Sequence, residues 1–504
     1  MTLSRRVDSR LTRIDDSWLA LANRWGIPVE ICAGTEVPIE PAALDELLTV
    51  LETEDTLRAL ARVVPGLDAE PGIDRVVGTP DFHKGAGIPI GTVLRTRGAL
   101  LPQAVGNDIN CGMRVEATSL TVDGIRPHLD RLESHLRHLF FEGGRGIGLT
   151  PTHREGLLRD GLPGLLSTGG PGGKGGAWAS LQPEDLDAAD RVHGQAYPAA
   201  HADDFRDWVT SGGGLSYDSI IGSVGGGNHF AELQYVAAVL DGPAAYAWGL
   251  RPGQVVTMVH SGSLSLGHQA NATGREQALA AWPRNVPLPT NRILPMLADP
   301  ATAARRERYL TAFANAANFA VGNRFFLSLM MRTGLAAVAG DLSARLVYDA
   351  PHNLMWPDDG GTLHRKGATP AGGPADGAGG GWGEPVIVPG SMGAASYLLR
   401  GHGNDRSLGS ACHGAGRRVP RGAAARGNDA DLDEFLREFR VVTPLNHRDP
   451  AIAARRDVIE AWRRDLKQEA PWAYKDVGPV VDSLVHADVA TPVVKLRPLL
   501  TVKG

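Results

Sequence analysis

The stretch AVGNDINCGMRVE (residues 104–116) places the carboxylate of Asp108 three positions before the thiol of Cys111, in a run punctuated by glycines. One carboxylate and one thiolate can share a metal ion. The same residues can instead be a turn aspartate and a small buried side chain, which is the more common outcome for such a pair taken alone. The remainder of the chain has to separate these two interpretations.

The composition is that of a globular protein rich in tight turns. Of its 504 residues, 43% are hydrophobic, 21% are charged and 63 are glycines, which tolerate turns and close backbone approaches. The formal net charge of −5 gives no overall basic field of the kind that marks many nucleic-acid-binding proteins. A local groove of arginine and lysine would still allow the protein to bind phosphates.

The cysteines and the apolar segments bear on the compartment. The three cysteines, Cys32, Cys111 and Cys412, are too few for a disulfide framework, which favours a reducing compartment. The N-terminus lacks the apolar core of a signal peptide. The chain also lacks a run of about 18 uncharged apolar residues, the length of a membrane span. We therefore expect a cytoplasmic protein that does not enter a membrane.

The residue pattern predicts an α+β fold. Residues 1–75 are predicted to be mostly helical, because residues 40–64 place apolar side chains at helical spacing. Residues 76–118 consist of short apolar runs separated by glycine, which favours strands and turns. Later helices and strands alternate without a regular βαβ order, and two glycine-rich segments, 165–178 and 368–385, are predicted to be flexible loops. The other predicted elements are helices at 123–140, at 301–332 and in DLDEFLREF and DVIEAWRRDL, and strands in VVTMVH (255–260) and PVIVPGSMGAASYLL (385–399).

Metal-binding or nucleophilic residue types lie beside glycines in several separated stretches, one of which is part of the stretch quoted above. Together they supply a mixed set of sulfur, nitrogen and oxygen donors that suits Zn, Fe, Co or Mn. One thiolate shared between two ions would let five side chains hold two metals, an arrangement common in phosphoryl chemistry. The candidate ligands are Asp108, Cys111, His229, His260 and His352. The stretches are GTPDFHKGAGIPIG (78–91), GNDINCGMR (106–114), GGGNHFAEL (225–233), VHSGS (259–263), YDAPHN (348–353) and SACHGAGRR (410–418).

His413 has a different environment, followed by a glycine-rich turn and two arginines. Backbone N–H groups of such a turn and planar guanidinium groups can hold a phosphate, and a histidine there can attack phosphorus. Each feature also has a structural interpretation: Asn228–His229 can be a turn, His260 can be a polar residue at a strand end, and glycine runs alone are weak signals. What favours a site is their coincidence in one chain.

Between about residue 76 and the last residue, a set of motifs occurs in a fixed order: DFHKGAGIPIG, GNDINCGMR, GGGNHFAEL, HSGS, HN, HRKGAT, PGSMGAASY, CHGAGR, AYKD and the terminal VKG. In this order, the motifs resemble those of RtcB-type RNA ligases, and as an ordered set they are specific.

The resemblance implies an α+β RtcB-like fold, with sheets and surrounding helices around a central cleft for metal and nucleotide. Residues 76–504 would form the catalytic domain, and residues 1–75 would pack on it. The implied activity is a GTP- and Mn²⁺-dependent ligation of an RNA 3′-phosphate or 2′,3′-cyclic phosphate to a 5′-hydroxyl, in tRNA splicing or RNA repair. The implied partners are such RNA ends and an activating protein of the archease type.

The resemblance also implies roles for individual residues. Asp108, Cys111 and His229 would hold one manganese ion, and Cys111, His260 and His352 the other. His413 would carry the guanylate, with Glu232 reading the guanine edge and Lys503 holding the guanosine. The full implied nucleotide set is Asn228, Glu232, His352, Asn353, Lys366, Ser391, Met392, His413, Gly414, Tyr474 and Lys503, and the implied RNA phosphate contacts are Arg417 and Arg421.

This chain departs from the family pattern at several positions. After HSGS the family usually has Arg-Gly, where this chain has Leu264 and Ser265. Pro370 replaces an arginine after KGAT, and Pro420 stands where a serine often precedes the second arginine. Each lost charge-assisted phosphate contact would remove roughly 1.5–3 kcal/mol of binding. We therefore expect a divergent bacterial paralogue with weakened or redirected RNA binding.

Two other functions remain open from the sequence. A dinuclear phosphoesterase could open RNA cyclic phosphates with the same ligands and without using His413. A non-catalytic RNA-end binding protein is the other alternative, although such a protein has no need for a bridging thiolate.

Overall fold

The computed structural model describes residues 8–67, 69–167, 169–170, 176–194, 196–358, 360–376 and 378–504. It contains mixed sheets and helices, as the predicted α+β class requires. The strands are β1 (Leu11–Arg13), β2 (Trp18–Leu21), β3 (Val29–Cys32), β4 (Gly72–His83), β5 (Ile90–Arg97), β6 (Ala99–Leu100), β7 (Gly112–Thr121), β8 (Gly148–Leu149), β9 (Ser216–Tyr217), β10 (Phe230–Val239), β11 (Gln254–Ser261), β12 (Met296–Leu297), β13 (Ala344–Pro351), β14 (Asn353–Asp358), β15 (Gly361–Lys366), β16 (Ala368–Pro370), β17 (Pro385–Val388), β18 (Ser396–Gly401), β19 (Ser410–Cys412), β20 (Arg440–Val442) and β21 (Ala490–Val502).

The helices surround these strands. They are α1 (Pro41–Leu51), α2 (Thr53–Ala61), α3 (Val122–Ile125), α4 (Leu129–Phe141), α5 (Pro151–Leu166), α6 (Arg206–Val209), α7 (Gly242–Ala247), α8 (Leu264–Ala280), α9 (Ala303–Ala339), α10 (Arg421–Ala424), α11 (Asp429–Glu438), α12 (Pro450–Ala453), α13 (Arg456–Gln468) and α14 (Val477–His486).

Two larger sheets organise the described part of the chain. One has seven strands in the order β1-β2-β3-β4-β5-β15-β14. The other has eight, in the order β13-β7-β11-β10-β21-β18-β17 with β20 beside β21. Among these pairs, β3 with β4 and β20 with β21 are parallel, and the other pairs are antiparallel. Such mixed pairing without βαβ repeats is typical of the α+β class.

Helix α9 is the spine of the larger hydrophobic core. It is 37 residues long, is alanine-rich, and packs against β7 and β11 as well as α4, α5 and α8. A helix that is apolar on all sides is buried on all sides, and most of the central part of α9 is buried. The buried part of α9 also contains polar side chains, among them Asn323 and Arg324, which hydrogen-bond to neighbouring loops and strand ends.

The N-terminal segment differs from the prediction that residues 1–75 are mostly helical. Helices α1 and α2 occupy the predicted region and pack on β4, but β1, β2 and β3 precede them. These strands have only three or four residues, too few to show alternation in the sequence. The predicted boundary at residue 75 falls within β4, and the division into two units stays a prediction.

The two glycine-rich segments are only partly covered by the structure. In 165–178, residues 168 and 171–175 lie outside the described residues, and α5 ends at Leu166. In 368–385, residue 377 lies outside them, while β16 and two short 3₁₀ turns occupy much of the remainder. The flexibility of both segments stays a prediction.

The other predicted elements are confirmed, including the strand β11, the long helix α9, the β17–β18 pair and the helices α11 and α13. In the part of the chain that the structure describes, no helix combines the length and apolar character that crossing a membrane requires.

Candidate metal and nucleotide site

Four neighbouring strands of the eight-stranded sheet meet at one edge. Gly112 begins β7 and pairs both with Pro351, which ends β13, and with Ser261, which ends β11. Phe230 begins β10 and pairs with His260 of β11. Because this register is fixed along the whole ladder, the residues at and next to these strand ends must lie side by side. The side chains brought together in this way are Cys111, His229, His260 and His352.

Distances between these side chains define two overlapping groups. Cys111 Sγ lies 3.2 Å from Nε2 of both His229 and His260. His260 Nε2 lies 3.2 Å from His352 Nε2, and Asp108 Oδ2 lies 2.9 Å from His229 Nε2. The groups are Asp108–Cys111–His229 and Cys111–His260–His352, and within each the ligand atoms lie within 4.8 Å of one another. Cys111 belongs to both groups, which is the arrangement predicted for a bridging thiolate.

The hydrogen bonds of the imidazoles test whether these residues fit a metal. His229 Nδ1 lies 3.1 Å from Val224 O, and His260 Nδ1 lies 3.1 Å from Asn228 O. A carbonyl only accepts, so each Nδ1 carries the proton and each Nε2 presents a lone pair to its neighbours. Metal-bound histidines are typically oriented by this kind of second hydrogen bond.

Asp108 supplies a second indication. Its Oδ1 is buried and has no hydrogen-bond partner among the described residues. A buried polar atom of this kind usually has a ligand that the protein atoms alone do not include. Converging lone pairs, a carboxylate oxygen and a thiol together match the donor set of a divalent cation.

Burial sets the protonation of this edge. It lowers the pKa of His260 and of His352 well below their usual range, so both imidazoles are neutral, the form that binds metal. Burial, and then the adjacent Asp108 carboxylate, raise the pKa of the Cys111 thiol well above its usual range. A thiolate at this position therefore requires compensating positive charge, which a bound cation would supply.

The glycine of HSGS has a steric role at this edge. A Cβ on Gly262 would lie 2.3 Å from Asp108 Oδ1 and 2.6 Å from Asp108 Cγ. Every other residue type would displace the carboxylate. The pattern HSGS is thus explained by the close approach of one chain segment to the Asp108 side chain.

A cavity of about 890 Å³ opens over this edge, between the two larger sheets. The residues that the sequence analysis assigned to metal, nucleotide or RNA line this cavity, with the exception of His229, which contacts Cys111 and Asp108 instead. The predicted residues in the lining are Asp108, Cys111, Asn228, Glu232, His260, His352, Asn353, Lys366, Ser391, Met392, His413, Gly414, Arg417, Arg421, Tyr474 and Lys503.

His413 follows β19 and faces the metal-ligand edge. Its ring centroid lies 4.6 Å from that of His352. His413 Nδ1 lies 2.6 Å from Oδ2 of Asp81, a fully buried residue of β4 whose other oxygen accepts a hydrogen bond from Thr79 Oγ1. Burial raises the pKa of Asp81, but the His413 imidazole, the Thr79 hydroxyl and His83 together lower it below the usual range. An ionised Asp81 therefore accepts the Nδ1 proton of His413 and leaves the lone pair on Nε2.

Asp81 was not singled out in the sequence. It lies in PDFHKG, which was noted as a block, but one carboxylate in an apolar strand gives no sign of its partner 332 positions later. The glycine-rich turn after His413 holds the pair in place. Gly416 has a φ of 75°, and a Cβ there would lie 2.4 Å from Asp81 O. The sequence signal for this contact was the last glycine of CHGAG, because a close backbone approach at that position requires glycine.

Glu232 of β10 and Lys503, which directly follows β21, lie at the side of the cavity, because Ala231 of β10 pairs with Val502 of β21. The Glu232 carboxylate accepts hydrogen bonds from Gln234 Nε2 and Thr501 Oγ1, and burial raises its pKa to about 7. Lys503 Nζ donates to Gly227 O and His229 O. Burial lowers the pKa of Lys503 to about 8. Both side chains are thus buried in the cavity wall beside the metal-ligand edge.

Arg417 and Arg421 both contact Glu469, which the sequence analysis did not identify. Arg417 Nη1 lies 3.4 Å and Arg421 Nε 3.1 Å from Glu469 Oε1. Tyr474 Oη donates to the other oxygen of the same carboxylate. Burial raises the pKa of Glu469, but Lys503, Tyr474 and the two arginines lower it below the usual range. Two guanidinium groups against one carboxylate leave a positive charge at this end of the cavity.

The departures from the family pattern occupy different places. Pro420 lines the cavity just before α10. Pro370 is buried in β16, where it pairs with Ser410. Leu264 begins α8 with a φ of 51° and packs against the larger core, and neither Leu264 nor Pro370 is part of the cavity lining.

Comparison with known proteins shows the family to which the chain belongs. Residues 66–504 match the family model described as "tRNA-splicing ligase RtcB". The chain is 35% identical over 510 residues to the tRNA-splicing ligase RtcB of Thermococcus kodakarensis, covering 95% of this chain and 97% of that protein. It is 33% identical over 513 residues to the protein of the same name from Pyrobaculum aerophilum, with 95% and 97% coverage. It is 32% identical over 466 residues to the RNA-splicing ligase RtcB homolog 1 of Entamoeba histolytica, with 86% and 81% coverage. By sequence match over most of its length, this chain belongs to the RtcB family.

Proposed function

We propose that the protein is an RNA ligase that joins a 3′-phosphate or 2′,3′-cyclic phosphate end to a 5′-hydroxyl end, using GTP and two Mn²⁺ ions. The observation that carries the proposal is one sulfur shared by two ligand groups, with the His413 imidazole beside them in the same cavity. The names of the relatives further suggest tRNA splicing as the setting, and RNA repair is served by the same chemistry.

The proposed metal ligands are Asp108, Cys111 and His229 for one ion and Cys111, His260 and His352 for the other. When bound, such ions supply positive charge that offsets the phosphate oxygens during phosphoryl transfer. The choice of manganese follows from the family, since the donor set alone also suits Zn, Fe or Co.

His413 is the proposed nucleophile. Asp81 holds the Nδ1 proton, so Nε2 has the free lone pair that attack on phosphorus requires. Nε2 would attack the α-phosphorus of GTP, forming an N–P bond while the P–O bond to the leaving pyrophosphate breaks. At a 2′,3′-cyclic phosphate end, water would first break the bond between phosphorus and the 2′ oxygen, leaving a 3′-phosphate and a 2′-hydroxyl. The guanylate would then pass from His413 to the RNA 3′-phosphate, which frees the imidazole and creates a phosphoanhydride. Attack by the 5′-hydroxyl oxygen on the RNA phosphorus would release GMP and complete the joint.

Glu232 and Lys503 are proposed to select guanosine. A carboxylate can accept hydrogen bonds from the N–H groups of the guanine edge, and an ammonium group can donate to a guanine oxygen. Both groups are buried in the same wall, where unpaired polar contacts are costly and a mismatched base would be rejected. The other nucleotide contacts proposed are Asn228, His352, Asn353, Lys366, Ser391, Met392, Gly414 and Tyr474.

Arg417 and Arg421 are proposed to bind RNA phosphate. In the absence of RNA they share Glu469, and the surplus guanidinium charge would favour an incoming phosphate. Cytoplasmic location and an archease-type activator stay predictions of the sequence.

The proposal is tested with GTP labelled at the α-phosphate and Mn²⁺. We expect the wild-type protein to acquire acid-labile label, as a histidine N–P bond would be, and the His413→Ala protein to acquire none. Ligation of 3′-phosphate and 5′-hydroxyl RNA ends should be lost in the same variant. Cyclic-phosphate opening that persists in His413→Ala without GTP, with no label in the wild type, would instead identify a phosphoesterase.

A further inference from the structure

Arg324 is a fully buried charge in the middle of α9 and is not among the residues that line the cavity. An isolated buried guanidinium is very costly, so its partners indicate what it does. None of the proposed roles in catalysis uses this residue.

The guanidinium of Arg324 donates to three chain segments. Nη1 donates to Asn110 O at 2.6 Å and to Ser261 O at 3.1 Å. Nη2 donates to Asn110 Oδ1 at 3.1 Å, and Nη2 and Nε donate to Asp349 Oδ1 at 2.7 and 2.9 Å.

Each of these partners lies within three positions of a residue of the ligand group Cys111–His260–His352. Asn110 immediately precedes Cys111, Ser261 immediately follows His260, and Asp349 lies three positions before His352 on β13. Because the guanidinium is planar and rigid, it fixes the relative positions of all three segments at once.

Charge compensation alone does not account for this arrangement. Arg324 belongs to a buried chain of ion pairs in which Asp349 of β13 and Glu116 of β7 alternate with arginines of α9 and β7. Arg332 is at the other end of that chain, equally buried and paired with Glu116 and Asp185. None of the described partners of Arg332 is next to a proposed ligand in the sequence. Arg324 therefore combines a structural ion pair with direct contacts beside the ligands, whereas the ion pairs of Arg332 and its hydrogen bond to Ser180 O are made away from them.

We infer that Arg324 is a positioning residue that sets the spacing of Cys111, His260 and His352 for metal binding. The inference rests on the proposed metal site. Lysine at this position keeps the charge but presents a single nitrogen, so it cannot hold the three segments in one plane. Loss of residues that orient metal ligands typically lowers metal affinity by about 10- to 100-fold.

The test compares Arg324→Lys with Arg332→Lys in the full-length protein, freed of metal by dialysis. Each protein is titrated with Co²⁺, following the near-ultraviolet absorption of a thiolate bound to cobalt, and Mn²⁺ affinity is measured by competition with a chelator. The Tm of the metal-free proteins controls for general destabilisation. We expect Arg324→Lys to bind about 10- to 100-fold more weakly and with an altered thiolate band, and Arg332→Lys to bind like wild type at a comparable Tm.

Equal affinity in wild type and Arg324→Lys, or an equal loss in both variants, would overturn the inference. If Arg324→Lys fails to fold, Asp349→Asn is titrated in the same way, because it keeps the guanidinium but weakens its bond to β13. Unchanged metal affinity in Asp349→Asn would also overturn the inference, and a loss of metal affinity would support it. Failure of wild type to bind either ion would count against the proposed metal site itself, so the two failures are distinguishable.

Discussion

The two walls of the cavity are built from different parts of the fold. The metal-ligand wall is one edge of the eight-stranded sheet, where Cys111, His260 and His352 are each no more than 3% exposed. The opposite wall is assembled from β4, the turn after β19 and the start of α10, where the side chain of Arg421 is 51% exposed. A sheet ladder fixes the spacing of the metal-ligand atoms, while turns and a partly exposed arginine suit a nucleotide and an RNA that must enter and leave.

The comparison predicts that the two walls can be disabled separately. Changes to the metal-ligand wall should abolish metal binding and with it every later step. Changes to the opposite wall, which contains His413, should leave the metal in place and affect guanylylation or RNA binding alone.

The largest effect is expected for Cys111→Ser. A hydroxyl is a poorer ligand than a thiolate for these cations, and Cys111 belongs to both ligand groups. We expect loss of bound metal and of ligation to the background rate, measured by metal analysis of the purified protein and by an RNA-joining assay. The matched control is Cys32→Ser, another buried cysteine that is not in either group. Metal content near that of wild type in Cys111→Ser would contradict the bridging role.

A smaller loss is expected for Asp81→Asn. The amide can donate a hydrogen bond to His413 Nδ1, which favours the tautomer with the proton on Nε2 and blocks attack. Guanylylation should slow by about 100- to 10,000-fold, the range for misplacing a proton at a catalytic histidine, while metal affinity stays at the wild-type value. Label incorporation in single-turnover reactions measures the rate, and chelator competition measures the metal. A parallel loss of both would show that the two walls are not separable.

The smallest effect is expected for Arg421→Ala. One partly exposed charge-assisted phosphate contact corresponds to a loss of roughly tenfold in RNA affinity, with a salt dependence shallower by about one unit. Guanylylation by GTP should be unaffected, because Arg421 is not among the residues proposed to hold the nucleotide. Filter binding of 3′-phosphate RNA across a salt series supplies the measurement, with the exposed Arg464, which no proposed role uses, changed to Ala as control. A change in guanylylation would place Arg421 in the nucleotide site instead.

More of the site than of the surrounding fold could be predicted from the sequence. Cys111, His260 and His352 could be grouped because each stands beside glycine or a strand end in a recognisable motif, and strand β11 was predicted with its histidine at the end. The family resemblance then supplied the roles. The short strands β1 to β3 could not be predicted, because three or four residues show no periodicity.

Residues whose roles depend on distant partners were also missed. Asp81 and His413 come together only when β4 lies against the turn after β19, and Glu469 meets Arg417 through the packing of the α13 end. Arg324 looks like any residue of a long helix until the strand ends that it contacts are known. In each case the local sequence contains the residue but not its partner.

The most direct test is anomalous diffraction from crystals soaked with Mn²⁺. Two anomalous peaks are predicted, both within bonding distance of Cys111 Sγ, one also contacted by Asp108 and His229 and the other by His260 and His352. Peaks elsewhere in the cavity, or a Cys111 sulfur that contacts no metal, would contradict the shared thiolate on which the account depends.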